Sequence, residues 1–107
     1  MASDKEYLDF VLEQLSALDG VSFRAMMGEY IFYFDGKVVG GIYDNRFLVK
    51  PTASARALLP EARGELPYEG AKPMLAADVD DRELLLKLIP AVASELPEPS
   101  RKKGAKK

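Results

Sequence analysis

The apolar positions change period twice along the chain, dividing it into a helical start, an extended middle and a helical end. Over residues 4 to 18, Leu8, Val11, Leu12, Leu15 and Leu18 recur at helical spacing, with Lys5, Glu6, Asp9, Glu13 and Ser16 mostly between them. Such a stripe predicts an amphipathic helix. Ser3 and Glu6 have the spacing of a capping box, in which each side chain accepts an otherwise unpaired backbone N–H, and Gly20 suits the left-handed conformation that closes a helix.

From residue 21 to residue 50 the chain is rich in β-branched and aromatic residues, which fit a pleated, half-buried surface. The pattern predicts strands at Val21 to Met26, Tyr30 to Phe34, Lys37 to Tyr43 and Arg46 to Lys50, with turns at Gly28, Asp35-Gly36 and Asp44-Asn45. Asp35-Gly36 is the firmest of the turns, because a two-residue type I′ turn needs positive φ at both positions. The four strands should run as an antiparallel meander.

Pro51 cannot donate to a ladder and Thr52 can cap, so a short helix is expected over Ala53 to Leu59, stopped by Pro60. Pro60, Gly64, Pro67, Gly70 and Pro73 then follow closely enough to predict an ordered loop over residues 60 to 73. Met74 to Asp78 reads as a fifth strand. A last helix starts near Asp80, with Asp80 and Glu83 at capping-box spacing, and carries Leu84, Leu85, Leu88, Ile89, Val92 and Leu96. Pro90 should kink or split it. The expected fold class is α+β with two layers: an antiparallel sheet of four to five strands packed by an N-terminal and a C-terminal helix, in the order α-β-β-β-β-α-β-α.

Composition narrows what such a fold could do. At 107 residues, 48% hydrophobic and 30% charged, the chain has material for one core, placed in a single domain over residues 1 to 97. It has no cysteine and no histidine, which removes thiolate chemistry, zinc–thiolate clusters, the commonest general base and the commonest metal ligand together. No enzymatic role, cofactor or metal is expected. The start of the chain is acidic and lacks the apolar run of a signal peptide, and no apolar stretch approaches the ~20 residues that cross a bilayer. A cytoplasmic location without membrane contact is the expectation.

Charge is unevenly placed. Residues 1 to 97 hold 10 Lys+Arg against 16 Asp+Glu, whereas residues 98 to 107 hold 5 Lys+Arg against Glu98 alone. The body is therefore acidic, and the tail is a basic segment expected to be disordered. Arg101, Lys102, Lys103, Lys106 and Lys107 are candidate nucleic-acid contacts, through counterion release and without sequence reading. Simple solvation of the tail is the plainer account.

Other clusters have plainer accounts too. Asp78, Asp80, Asp81 and Glu83 lack the spacing of a calcium loop and suit a helix start. Tyr30, Phe32, Tyr33 and Phe34 could stack bases, but Glu29 and Asp35 offset Lys37 and Arg24 nearby, so core packing is the better account. Gly40-Gly41 lacks the context of a phosphate loop and suits a bulge or a close contact. In the long loop, Tyr68, Gly70 and Lys72 either line an interaction surface or pin the loop to the body.

Residues Arg24 to Thr52, RAMMGEYIFYFDGKVVGGIYDNRFLVKPT, and Pro67 to Met74, PYEGAKPM, resemble the N-terminal domain of the TfoX family, bacterial regulators of natural competence. The resemblance extends from the first helix to Leu96. Its most specific pieces are Met26 with Gly28-Glu29-Tyr30, the Asp35-Gly36-Lys37 turn, and Tyr68 with Gly70-Ala71-Lys72-Pro73. Met27 stands where relatives often have phenylalanine. Full-length TfoX regulators carry a second, helical domain, whereas this sequence ends after its lysine tail. The resemblance implies a two-layer α+β fold and a regulatory protein-interaction module, with the transcription machinery as partner, and carries over no catalytic residue or cofactor. A weak nucleic-acid-binding accessory acting through the tail and a small-ligand binder or enzyme without a recognisable motif are the alternatives.

Overall fold

The computed structural model describes residues 3 to 97. Its elements run α1 (Lys5–Gln14), β1 (Val21–Met26), β2 (Glu29–Phe34), β3 (Lys37–Ile42), β4 (Phe47–Val49), α2 (Ala53–Leu58), β5 (Gly64–Glu65), β6 (Met74–Ala76) and α3 (Arg82–Ser94). The strands form one antiparallel sheet in the order β1-β2-β3-β4-β6-β5. The fold is α+β, as expected, with six strands where four to five were predicted. The extra strand, β5, lies inside the segment read as a loop; Gly64 pairs with Leu75 and Glu65 with Met74.

Three two-residue turns build the meander. Met27 and Gly28 (φ 53° and 89°), Asp35 and Gly36 (53° and 83°), and Asp44 and Asn45 (54° and 57°) all have positive φ at both positions. That is the handedness of type I′ hairpins, whose twist matches that of the flanking strands. Opposite Phe32 the register with β3 slips, so that Phe32 pairs with Gly40 while Tyr33 pairs with Val38 and Val39 is left over. This bulge keeps Val39 buried, and a Cβ on Gly40 would run into the Leu48 carbonyl oxygen and the Val49 backbone.

Cross-strand partners share a face, so the register sorts the side chains. Phe32, Ile42, Phe47, Val49 and Leu75 point to one face, where they meet Leu8, Val11 and Leu15 from α1 and its end, Ala55 and Leu59 from α2 and its end, and Leu85, Leu88, Ile89 and Val92 from α3. All three helices thus cover the same face, α2 included. Burying each Leu, Val or Phe there contributes ~1.5–3 kcal/mol, which holds the two layers together.

The helix ends differ from the expected capping boxes. Asp4 stands at the N-cap of α1 without a side-chain cap, and Ser3 is buried instead against the sheet. Its Oγ donates to Glu29 Oε1 (2.6 Å) and accepts from Asn45 N (3.0 Å). A contact to two turns of the sheet has displaced the local cap. Gln14 ends α1, and Gly20 (φ 95°) lies beyond the helix, where it opens β1. At α3 the cap is Asp81, whose Oδ1 accepts from Leu84 N (3.1 Å), one residue later than the Asp80–Glu83 reading. Asp78 Oδ1 accepts from Asp80 N (3.0 Å), so the acidic cluster is used on backbone donors. Pro90 neither splits nor ends α3, which runs on to Ser94. The tail candidates Arg101, Lys102, Lys103, Lys106 and Lys107 lie outside the described residues.

Candidate interaction surface

The face of the sheet turned away from the helices is closed differently. Register places Ile31, Gly41, Leu48 and Ala76 in one row across it. Leu48 is wholly buried, yet it is not part of the helix-side core. What lies over this face is a strap of irregular chain from Leu66 to Pro73, between β5 and β6.

Arg46 fastens the start of the strap. Its guanidinium donates to Glu65 Oε1 (2.9 Å) and to the Leu66 carbonyl (3.0 Å), and its Nε donates to the Tyr43 carbonyl (3.1 Å). The fork geometry of arginine lets one side chain grip strand, strap and turn together. Further along, Ala71 N donates to the Tyr68 carbonyl (3.1 Å) across a turn with Gly70 at φ 88°. A Cβ on Gly70 would meet nothing within 4 Å, so glycine is required there by backbone conformation and not by crowding.

The strap presents Tyr68, which is 64% exposed, toward Tyr43, with ring centroids 6.2 Å apart. Tyr43 lies across Gly41, where an added Cβ would come within 2.8 Å of its ring. Burial pushes the Tyr43 hydroxyl above its ordinary range, and Tyr68, Glu29 and Tyr33 push the same way. The phenol therefore holds its proton further into alkali than a free tyrosine does.

Two clefts flank the Pro67–Tyr68 segment. One, of about 500 Å³, is walled by Met26, Met27, Glu29, Ile31, Tyr43, Pro67 and Tyr68. The other, of about 590 Å³, lies on the far side, between Tyr43, Lys50, Pro51, Tyr68, Lys72 and Leu96 among others. The structure thus brings two of the sequence candidates, Tyr68 and Lys72, to the wall of the second cleft, while Gly70 shapes the turn between them. Tyr43, Met26, Met27 and Arg46 belong to the same surface and escaped the sequence reading. A tyrosine two residues beyond a glycine in a strand was the available signal, since i and i+2 share a face.

Met27 is the least expected of these. It is 96% exposed and has φ 53°, a left-handed conformation that costs an ordinary side chain ~1–2 kcal/mol. With Met26 (47% exposed) and Tyr68 it forms an apolar rim around the smaller cleft.

The family model of the TfoX N-terminal domain matches residues 13–80, from within α1 through β6. The chain belongs to the TfoX N-terminal domain family. A protein described as an uncharacterized 12.7 kDa protein in the trpE 5′ region of Spirochaeta aurantia is 38% identical over 109 residues, covering 100% of this chain and 95% of the relative. No solved structure matches. The span matched to the TfoX N-terminal domain contains the whole sheet, both turns of the apolar rim and the strap, so the candidate surface lies inside the family's domain. No helix among the described residues is long and apolar enough to cross a membrane.

Proposed function

We propose that this chain is a non-enzymatic, regulatory protein-interaction module of the TfoX N-terminal type, and that its partner docks on the strap-covered face, over Met26, Met27, Ile31, Tyr43 and Tyr68. The observation that carries the reading is Met27, exposed at 96% and held in a left-handed turn. The β1–β2 hairpin needs the left-handed turn, but a small polar residue or glycine would make it at less cost, and folding gains nothing from an apolar side chain left in solvent there; strained and apolar exposed residues cluster where a protein meets its partners. Methionine adapts its shape to a partner, and tyrosine offers a large rigid surface with a polar end, which suits both to interfaces. Membership of the family supports a regulatory role, and the transcription machinery is the partner the resemblance suggests.

The test is affinity capture from the native host after nuclease treatment, comparing the wild type with Met27→Asp and Tyr68→Ala. Both positions are exposed, so the melting temperature should hold while a defined protein partner is lost from the eluate. If both variants keep the wild-type partner, the docking surface lies elsewhere. The basic charge of residues 98 to 107 favours the second reading, a weak nucleic-acid accessory. In that case recovery depends on nucleic acid and falls steeply with salt.

A further inference from the structure

The two edges of the sheet are unequally protected. At one, β5 is only Gly64–Glu65 and a proline follows soon after, the short, interrupted form that discourages further pairing. At the other, β1 offers a full strand, Val21–Met26, without proline or bulge, and exposed at every position but Val21. Phe23 on it is 42% exposed, although its ring stacks near Phe32 (centroids 6.1 Å) and meets Tyr30 edge-on (6.0 Å). The aromatic layer stops at an open boundary.

The direction of the free backbone groups follows from the ladder. Asp35 N donates to the Gly20 carbonyl (3.0 Å), which makes the even positions of this strand the ones hydrogen-bonded to β2. Val21, Phe23 and Ala25 therefore turn their N–H and C=O groups outward. We propose that β1 is a self-association edge, pairing antiparallel with β1 of a second copy so that Phe23 faces Phe23 across a two-fold axis. In this register Val21 opposes Ala25 and the outward amides and carbonyls of all three residues are paired. The charge pattern excludes one competing register. Arg24 then faces Ser22 of the other copy, whereas a slip that centres the axis on Arg24 would oppose two like charges. The fit is self-complementary, as an isologous interface requires, and joins two sheets into one. It uses neither the strap nor the larger cleft, and of the smaller cleft's walls β1 contributes Met26, which lies outside the paired Val21–Ala25 stretch.

Sedimentation across micromolar to millimolar concentration tests the proposal with a pair of exposed variants. Ser22→Glu places a carboxylate opposite Arg24 of the second copy and should tighten the dimer, while Ser22→Lys opposes like charges and should weaken it, each by roughly three- to tenfold in Kd. The chain has no cysteine of its own, so Phe23→Cys should form an intermolecular disulfide on mild oxidation, the expected Cα separation of ~5.5 Å lying within disulfide reach. A chain that stays monomeric throughout, a dimer indifferent to the sign of the charge at position 22, or a folded Phe23→Cys variant that does not cross-link overturns the proposal. So does a β1 edge that pairs only with a strand of some other protein.

Discussion

One face of the sheet carries three helices over Phe32, Ile42, Phe47, Val49 and Leu75; the other carries one strap of irregular chain, and Leu48 is the large apolar side chain wholly buried beneath it among the described residues. The helix side is closed by packing of many apolar residues that fix one another. The strap side is closed by few contacts, chiefly the grip of Arg46 on Glu65 and Leu66 and the approach of Tyr68 to Tyr43. A domain built this way places its stability on one face and leaves the other adjustable. Segments with few buried apolar contacts are those that open or rearrange most readily, and such segments carry binding.

The contrast can be broken by substitution, starting with the largest effect. Phe32→Ala removes a fully buried ring that meets Phe47 edge-on (centroids 5.3 Å), and should cost ~3–5 kcal/mol in denaturant unfolding. Leu15→Ala, at the end of α1, belongs to the same core and should cost ~2–5 kcal/mol. Leu48→Ala should fall at the lower end of the leucine range, ~2–3 kcal/mol, because a strap can settle into the space more easily than three packed helices can. A loss at Leu48 equal to that at Phe32 would mean that both faces are cores of the same kind. Arg46→Ala should cost less again, ~1 kcal/mol, since Arg46 and Glu65 are each about a third exposed and water replaces much of what is lost. Its clearer signature is faster amide exchange from Leu66 to Ala71 with β2 and β3 unchanged.

The helix side was the more legible in sequence, for the same physical reason. Periodic burial leaves a periodic pattern: Leu8, Val11 and Leu15 on one helix and Leu85, Leu88 and Val92 on another can be read as stripes, and the Asp35-Gly36 turn states its hairpin locally. The strap side is held by contacts between residues far apart in the chain. Gly64-Glu65 has no strand pattern and is a strand because β6 lies beside it, Ser3 abandons its local cap for Glu29 and Asn45, and Tyr43 joins Tyr68 only once the chain has folded. Tyr68, Gly70 and Lys72 could be singled out from composition of the loop; that Met26 and Met27 face Tyr68 across a cleft required the folded sheet.

Alkaline titration gives each face one reporter. Burial raises the pKa of Tyr7 on the helix side; a hydrogen bond with the Phe47 backbone opposes this, and Asp80 and Asp78 add to it. On the strap side burial raises Tyr43, with Tyr68 as the next cause. Both hydroxyls ionise later in the folded chain than the ~10 of an unfolded tyrosine. Their contribution to stability is therefore complete below ~10 and is lost as pH rises through the folded values. Removing the neighbour sharpens the comparison: Tyr68→Phe should lower the apparent pKa of Tyr43, read by tyrosinate absorbance against a Tyr43→Phe control, and leave Tyr7 where it was. An equal shift at Tyr7 would show that the two faces communicate.

The smallest expected effect belongs to Glu95, where the helix layer is tied to itself. Just past α3, its Oε1 accepts from Ser54 N (2.8 Å) in the first turn of α2, where Thr52 already caps by accepting from Ala55 N (3.2 Å). The hydrogen bond from the Ser54 amide, with help from the Ser54 and Thr52 hydroxyls, holds the Glu95 carboxyl below its usual pKa. A group lowered on folding contributes stability that is present above its unfolded pKa and lost as pH falls through the folded one. The wild type should thus hold a small advantage over Glu95→Gln, which keeps an acceptor for Ser54 but no longer titrates, and lose that advantage as the pH falls into the acid range. Because Glu95 is exposed, solvent screens most of the difference, so the wild type should melt only slightly above the variant at neutral pH, and the two curves should converge in acid, where neither side chain is charged. Coincidence at neutral pH as well would mean that the hydrogen bond alone, and not the carboxylate charge at the start of α2, joins the two helices.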